Sequence, residues 1–205
     1  VLSQAQLERI LERSRSTVQQ LLRRLYDHHY VERLFLSVTR FGSSPALYVL
    51  DREGIALLRS MGVEDFSGLP GRDLKPMFLY HTVAISEVHL AIEKACQSLG
   101  YTLDSWLNDN RLRSDGTRVR ISSQTRAVAL IPDSYFTLTV PNLGTTHCFL
   151  ELDRGTMDAG NFKKKVEAYT AYYKSGEFYR RYGARGYRVL TVVDGIGAGR
   201  VTNLV

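Results

Sequence analysis

Cysteine is scarce in this chain: Cys96 and Cys148 are the only two in 205 residues. Both lie among apolar neighbours without metal-ligand spacing, which excludes a disulfide-stapled secreted domain. Reduced core thiols in a cytoplasmic protein are the expectation. Long apolar runs are also missing, so no segment reaches the ~20 residues that cross a bilayer, and no signal-peptide pattern is visible. No membrane partner is expected. Internal repeats are absent, which excludes a solenoid. The pair His28-His29 has no third ligand at suitable spacing and reads as solvent-facing at a helix end, not as zinc ligands. Gly195, Gly197 and Gly199 have no following helix and make a poor phosphate loop. No methionine opens the chain; Val1-Leu2-Ser3 already sits at a helix-start signal, as expected for part of a longer protein.

What is present is ordinary core material and an excess of positive charge. The apolar fraction is 44%, enough for one domain or two small ones. Lys and Arg number 27 against 21 Asp and Glu, a formal charge of +6 and a pI near 9.4. Such a balance favours an anionic partner, nucleic acid first.

The first third has the order of a winged helix. Ser3-Gln4-Ala5-Gln6 is a capping box, followed by Leu7, Ile10 and Leu11 on one helical face. Ser14-Arg15 breaks the pattern, and Ser16-Thr17 restarts it as a second N-cap ahead of Val18, Leu21, Leu22 and Leu25. Two short helices with a tight break form a helix-turn-helix, whose second helix reads the major groove. Its candidate DNA contacts are Arg15, Ser16, Thr17, Gln19, Gln20 and Arg23. Strand-like runs at 30–39 and 46–50 flank a turn-rich tip, a wing with Arg40 placed to meet a phosphate. Asp51 then caps a short helix with Ile55, Leu57 and Leu58 inward. A helix-turn-helix that docks protein remains the alternative.

Residues 1–60 are thus expected to form a winged helix-turn-helix domain, 61–76 a Gly- and Pro-rich linker, and 77–205 a second domain. The second domain opens with a helix over 79–99, apolar at Val83, Ala84, Val88, Ala91, Ile92 and Ala95 and stopped by Gly100. A strand bearing Trp106 follows. Arg111, Arg113, Arg118, Arg120 and Arg126 then gather around Asp115-Gly116, a hairpin-turn signal. Alternation puts Arg118 and Arg120 on one strand face, either as a second DNA surface or as a solvated edge that discourages aggregation.

The chemistry concentrates between Leu130 and Tyr173. Asp133 precedes a strand-like run, a turn at Pro141–Gly144 leads to a second run ending Glu151-Leu152-Asp153, and a basic helix follows with Lys165 and Tyr169 four apart. Carboxylates on adjacent strands with a lysine from the next helix can hold Mg²⁺ or Mn²⁺ and a scissile phosphate together. Asp133, Glu151 and Asp153 are the candidate metal ligands, and Lys165 joins them as a candidate catalytic cation. Alternatively, Arg154 and Lys163 to Lys165 neutralise the carboxylates in a purely structural ion network.

The order Pro132-Asp133, hairpin, Glu151, helix resembles the core of the PD-(D/E)XK nuclease superfamily. The whole chain is more specifically similar to the replication-relaxation family of plasmids and mobile elements. That likeness rests on His81–Glu87, Trp106, Pro132-Asp133, Glu151-Leu152-Asp153-Arg154-Gly155-Thr156 and Lys165 with Tyr169. It implies an α/β (α+β) fold: a winged helix-turn-helix, lacking a helix that usually precedes it, then an α-β-β-β-α-β nuclease-like domain. Glu87 is either a metal-facing helix glutamate, as in some nucleases of that superfamily, or solvated. The superfamily's lysine two residues beyond the glutamate is Asp153 here, so Lys165 would have to take its place.

Three functions follow as expectations. One is a DNA-binding accessory protein of plasmid or mobile-element replication and transfer, with a nuclease-like domain that need not cleave. The others are a Mg²⁺-dependent endonuclease or nickase, and a protein-interaction adaptor. Double-stranded DNA is the expected partner, with a homodimer or replication and transfer proteins as further partnerships.

Overall fold

The computed structural model describes residues 1–35, 45–63, 76–155 and 157–193. Helices and strands are mixed in an α+β architecture, and the chain divides into two compact units, Val1–Ala91 and Ile92–Val205.

In the first unit, β1 (Leu2–Ser3) leads into α1 (Gln4–Leu11) and α2 (Arg15–Asp27). The capping box forms as expected: Ser3 Oγ accepts from the Gln6 amide, and the Gln6 side chain accepts from the Ser3 amide. Glu12 ends α1 in the left-handed region at φ 49°, which turns the chain sharply into α2. The N-cap of α2 is Ser14 and not Ser16-Thr17: its oxygen accepts from the Thr17 amide at 3.3 Å, while the Ser16 and Thr17 hydroxyls bond back to Ser14. Val18 and Leu22 are buried and Leu25 half-buried, but Leu21 is exposed. Ile10 and Leu11 are exposed too, because the buried residue of α1 is the polar Gln6.

Strand β2 (Val31–Phe35) pairs antiparallel with β3 (Ala46–Leu50), and β1 adds to the other edge of β3 in the order β1-β3-β2. The wing tip with Arg40 lies outside the described residues, as do Gly195–Gly199 and most of the expected linker. Asp51 caps α3 (Arg52–Ser60), whose buried residue is Gly54; Leu57 faces solvent. Glycine is required at position 54 by close approach, since a Cβ there would lie 2.1 Å from the Tyr30 carbonyl oxygen.

The division between the units falls inside α4 (Pro76–Leu99), so residues 77–91, assigned to the second domain by sequence, cluster with the first. The reason is Gln6. Its Nε2 donates to the Val83 carbonyl at 3.0 Å and to Glu87 Oε2 at 3.1 Å, and Arg9 grips both Glu87 oxygens. Glu87 is therefore a structural acceptor, held below the usual carboxylate range chiefly by the Arg9 hydrogen bond. Gly100, at φ 69°, follows the end of α4.

The second unit continues with β4 (Thr102–Asn108), α5 (Asp109–Ser114), β5 (Arg118–Val119) and β6 (Val128–Ala129). Asp115-Gly116 terminates α5 and is not a hairpin tip; the β5–β6 connection lies between Val119 and Val128. Then come β7 (Ser134–Val140), β8 (Gly144–Asp153), α6 (Ala159–Lys174), α7 (Glu177–Tyr182) and β9 (Arg188–Val193). Asn142 and Gly144, at φ 64° and 89°, make the tight β7–β8 turn.

The main sheet runs β4-β7-β8-β9, antiparallel except for the parallel β8–β9 pair. A parallel pair needs a long crossover, and α6 with α7 supply it. Aromatic side chains dominate the core beneath: Phe149 meets Tyr169, Tyr172, Phe178 and Tyr187 at ring distances between 5.0 and 6.2 Å. Trp106 stacks on Phe136 at 5.2 Å.

Candidate functional site

Glu151 stands near the C-terminal end of β8, with Lys165 and Tyr169 of α6 above it. Two features of the sequence put them there. The parallel β8–β9 pairing forces a helical return across the strand, and the four-residue spacing lays both side chains on one helix face. Lys165 Nζ bonds Glu151 Oε2 and the Tyr169 hydroxyl donates to Oε1 at 2.6 Å. Tyr187 braces this arrangement by donating its hydroxyl to the Tyr169 carbonyl at 2.6 Å.

Glu151 is only 3% exposed. Burial is the main influence on its acidity and raises its pKa above the ordinary 4.5. The Lys165 charge and the two hydrogen bonds oppose this, and the neighbouring Asp133 charge adds to it. The Tyr169 phenol is pushed up first by burial and then by the Glu151 charge, so it is a hydrogen-bond donor and not a phenolate.

The three expected carboxylates meet different partners. Asp133 lies near enough to Glu151 to repel it, while its Oδ2 accepts from the Leu152 amide at 2.7 Å. Asp153 is 1% exposed, and its Oδ1 accepts from the Met157 amide at 3.0 Å. With both Glu151 oxygens committed to protein donors, the residues as placed do not fit a divalent cation. Among the described residues, no group of three or more His, Cys, Asp and Glu side chains is arranged to hold a metal ion.

Two cavities border this centre. One of about 480 Å³ lies between α6 and the segment at 121–131; the other, about 250 Å³, lies between α6 and β9. Glu151, Met157 and Lys165 line both.

The expected DNA contacts on α2 share one property. Arg15, Ser16, Thr17, Gln19, Gln20 and Arg23 are all exposed on α2, while Val18 and Leu22 are buried. Ser16 and Thr17 are engaged with Ser14, and Arg23 lies 3.8 Å from Asp27 in an open ion pair. Arg13, at the helix break, and Arg24, near the helix end, are equally exposed beside them. In the second unit Arg118 and Arg120 are exposed while Val119 and Ile121 are buried, as alternation requires. Arg118 also donates to the Ala127 carbonyl at 3.0 Å, which ties the β5–β6 connection.

Tyr169 was visible in the sequence as a partner of Lys165 but not as a ligand of the carboxylate. Gln124 and Asn161, which line the larger cavity with Lys164, carry no sequence signal beyond polarity. No described helix is long and apolar enough to cross a membrane. No curated protein and no solved structure matches the chain. One protein-family model, described as replication-relaxation, matches residues 1–186.

Proposed function

The chain belongs to the replication-relaxation family, and from that premise we propose that it is a DNA-binding accessory protein of plasmid or mobile-element replication and transfer. The two helices α1 and α2 with the sheet β1-β3-β2 support a winged helix that meets duplex DNA through α2. In the second unit the succession of helix, three sheet strands, helix and strand supports a nuclease-like domain that serves as a further contact surface without cleaving.

The observation that carries this reading is the split of α2 into a buried apolar edge, Val18 and Leu22, and an exposed face bearing Arg15, Gln19, Gln20 and Arg23. Arginine and glutamine on an exposed helix suit phosphates and base edges respectively. The net charge of +6 supplies long-range attraction to the duplex.

The test is a gel shift and nicking assay on one plasmid sample with and without Mn²⁺. Retarded, uncut plasmid with both Arg15→Ala and Arg23→Ala weakening the shift supports the accessory role. Nicking that Asp133→Ala abolishes would establish the endonuclease instead. No shift at any protein concentration would leave the adaptor reading.

A further inference from the structure

The larger cavity of the second unit has walls of one kind and a mouth of another. Ile121, Val128, Leu130 and Met157 line it with aliphatic surface, the paired Glu151 and Lys165 form part of the lining, and Gln124, Asn161 and Lys164 bring amides and a cation. Gln124 and Lys164 are exposed, and among the described residues neither side chain has a hydrogen-bond or ion-pair partner. Asn161 commits its amide nitrogen to Asp158 at 2.8 Å, which orients the group. A volume of about 480 Å³ falls within the ~300–1,000 Å³ of small-ligand sites, and apolar walls with a few convergent polar groups are their usual composition.

Charge decides which ligand. The segment at 121–131 that supplies one wall carries the exposed Arg126, and α6 adds Lys163 beside Lys164. Exposed cations stand on both elements that form the hollow, and its one lining carboxylate, Glu151, is matched by Lys165, so a polyanion with an apolar unit suits it and an acidic or neutral metabolite uses only part of it. We propose that this cavity receives one unpaired base of a DNA strand, with Lys164 on the adjoining phosphate and Arg126 along the flanking backbone. The inference rests on the DNA-binding reading above and adds an unpaired nucleotide to its target. A base inside an intact duplex cannot enter without being extruded, and extrusion costs least where pairing is already lost.

The test compares a matched duplex with the same duplex carrying one single-nucleotide bulge, using the full chain and fluorescence anisotropy. The bulged duplex should bind about tenfold tighter, the size expected when one base gains a protein pocket. Ala129→Trp, an exposed lining position on β6, should remove that preference while leaving the matched duplex unaffected, which also shows that the variant is folded. Lys164→Gln should reduce the preference without touching the fold. Equal affinity for both duplexes, or a preference that survives Ala129→Trp, would overturn the inference and leave duplex binding intact. Failure to bind either duplex would overturn the DNA-binding reading itself and this inference with it.

Discussion

Tyr169 donates its phenolic hydrogen to Glu151 Oε1 at 2.6 Å inside the sheet–helix interface, one helical turn beyond the lysine that holds the other oxygen. Removing either donor leaves a carboxylate that is 3% exposed short of a partner. Tyr169→Phe should cost about 1–3 kcal/mol of unfolding free energy, the usual penalty for an orphaned buried acceptor. Lys165→Met should cost more, at the low end of the about 3–5 kcal/mol for a broken buried ion pair, because the lysine side chain is itself 38% exposed. Urea denaturation of both variants and the double mutant checks the order and the coupling. Equal, additive losses would show that the two donors act separately.

The raised acidity constant of Glu151 has a pH consequence with a definite sign. The folded protein keeps a proton on this carboxyl at pH values where the unfolded chain, near the ordinary 4.5, has released it. The stability gained this way is complete below that value and is lost as pH rises through the folded-state value. Glu151→Gln removes the titration, so its stability relative to the parent should climb as pH increases from 4.5. Denaturation series across that range read the difference directly. A relative stability that falls instead would mean that attraction to Lys165 outweighs burial.

Much of this centre was legible before any fold was known, and the limits are physical. The spacing of Lys165 and Tyr169 states that they share a helix face, and the strand-turn-strand pattern places Glu151 beneath some helix. Spacing does not say whether the carboxylate stays open to a cation or is closed by those very side chains; that depends on burial, a property of the whole packed unit. Glu87 shows the same limit more sharply, because its hydrogen-bond donor Gln6 is 81 residues away in sequence. The N-cap of α2 was displaced by two residues because Ser14, Ser16 and Thr17 are all competent caps and only the turn after Glu12 selects among them.

Gly54 provides a test in which two effects oppose each other. Alanine is the better helix former by about 1 kcal/mol, which alone would stabilise α3. Its Cβ, however, would stand 2.1 Å from the Tyr30 carbonyl oxygen, a backbone atom that also accepts from the Asp51 amide at 3.0 Å. Relieving that overlap means moving α3 away from the start of β2, and overpacking of this kind costs about 1–3 kcal/mol. Gly54→Ala should therefore lower the melting temperature. An unchanged or higher value would show that α3 shifts freely.

Within the first unit Gln6 should outweigh Arg9, although Arg9 carries the charge. The Arg9–Glu87 pair is open to water, with side chains 55% and 49% exposed, and such pairs contribute at most about 1 kcal/mol. Gln6 is 1% exposed, closes the capping box and donates to Val83 and Glu87. Gln6→Ala should cost about 2 kcal/mol by vacating those partners, and Arg9→Ala less than half of that. Thermal unfolding of the two variants in low and high salt separates the contributions, since only the Arg9 effect should shrink with salt.

Divalent cations test whether the Glu151 centre is closed. A cation reaching Oε2 must displace the Lys165 ammonium, and the two positive charges cannot share the oxygen without repulsion. Millimolar Mg²⁺ or Mn²⁺ should therefore leave the melting temperature of the parent protein unchanged at matched ionic strength. In Lys165→Met the Glu151 carboxylate loses its counter-charge, and its repulsion with Asp133 favours any cation that can approach. That variant should be stabilised by Mn²⁺, and Asp133→Ala in the same background should remove the increment. A parent protein that gains stability from Mn²⁺, with the gain abolished by Glu151→Ala, would show instead that lysine yields to metal and that the carboxylates are open for phosphodiester chemistry.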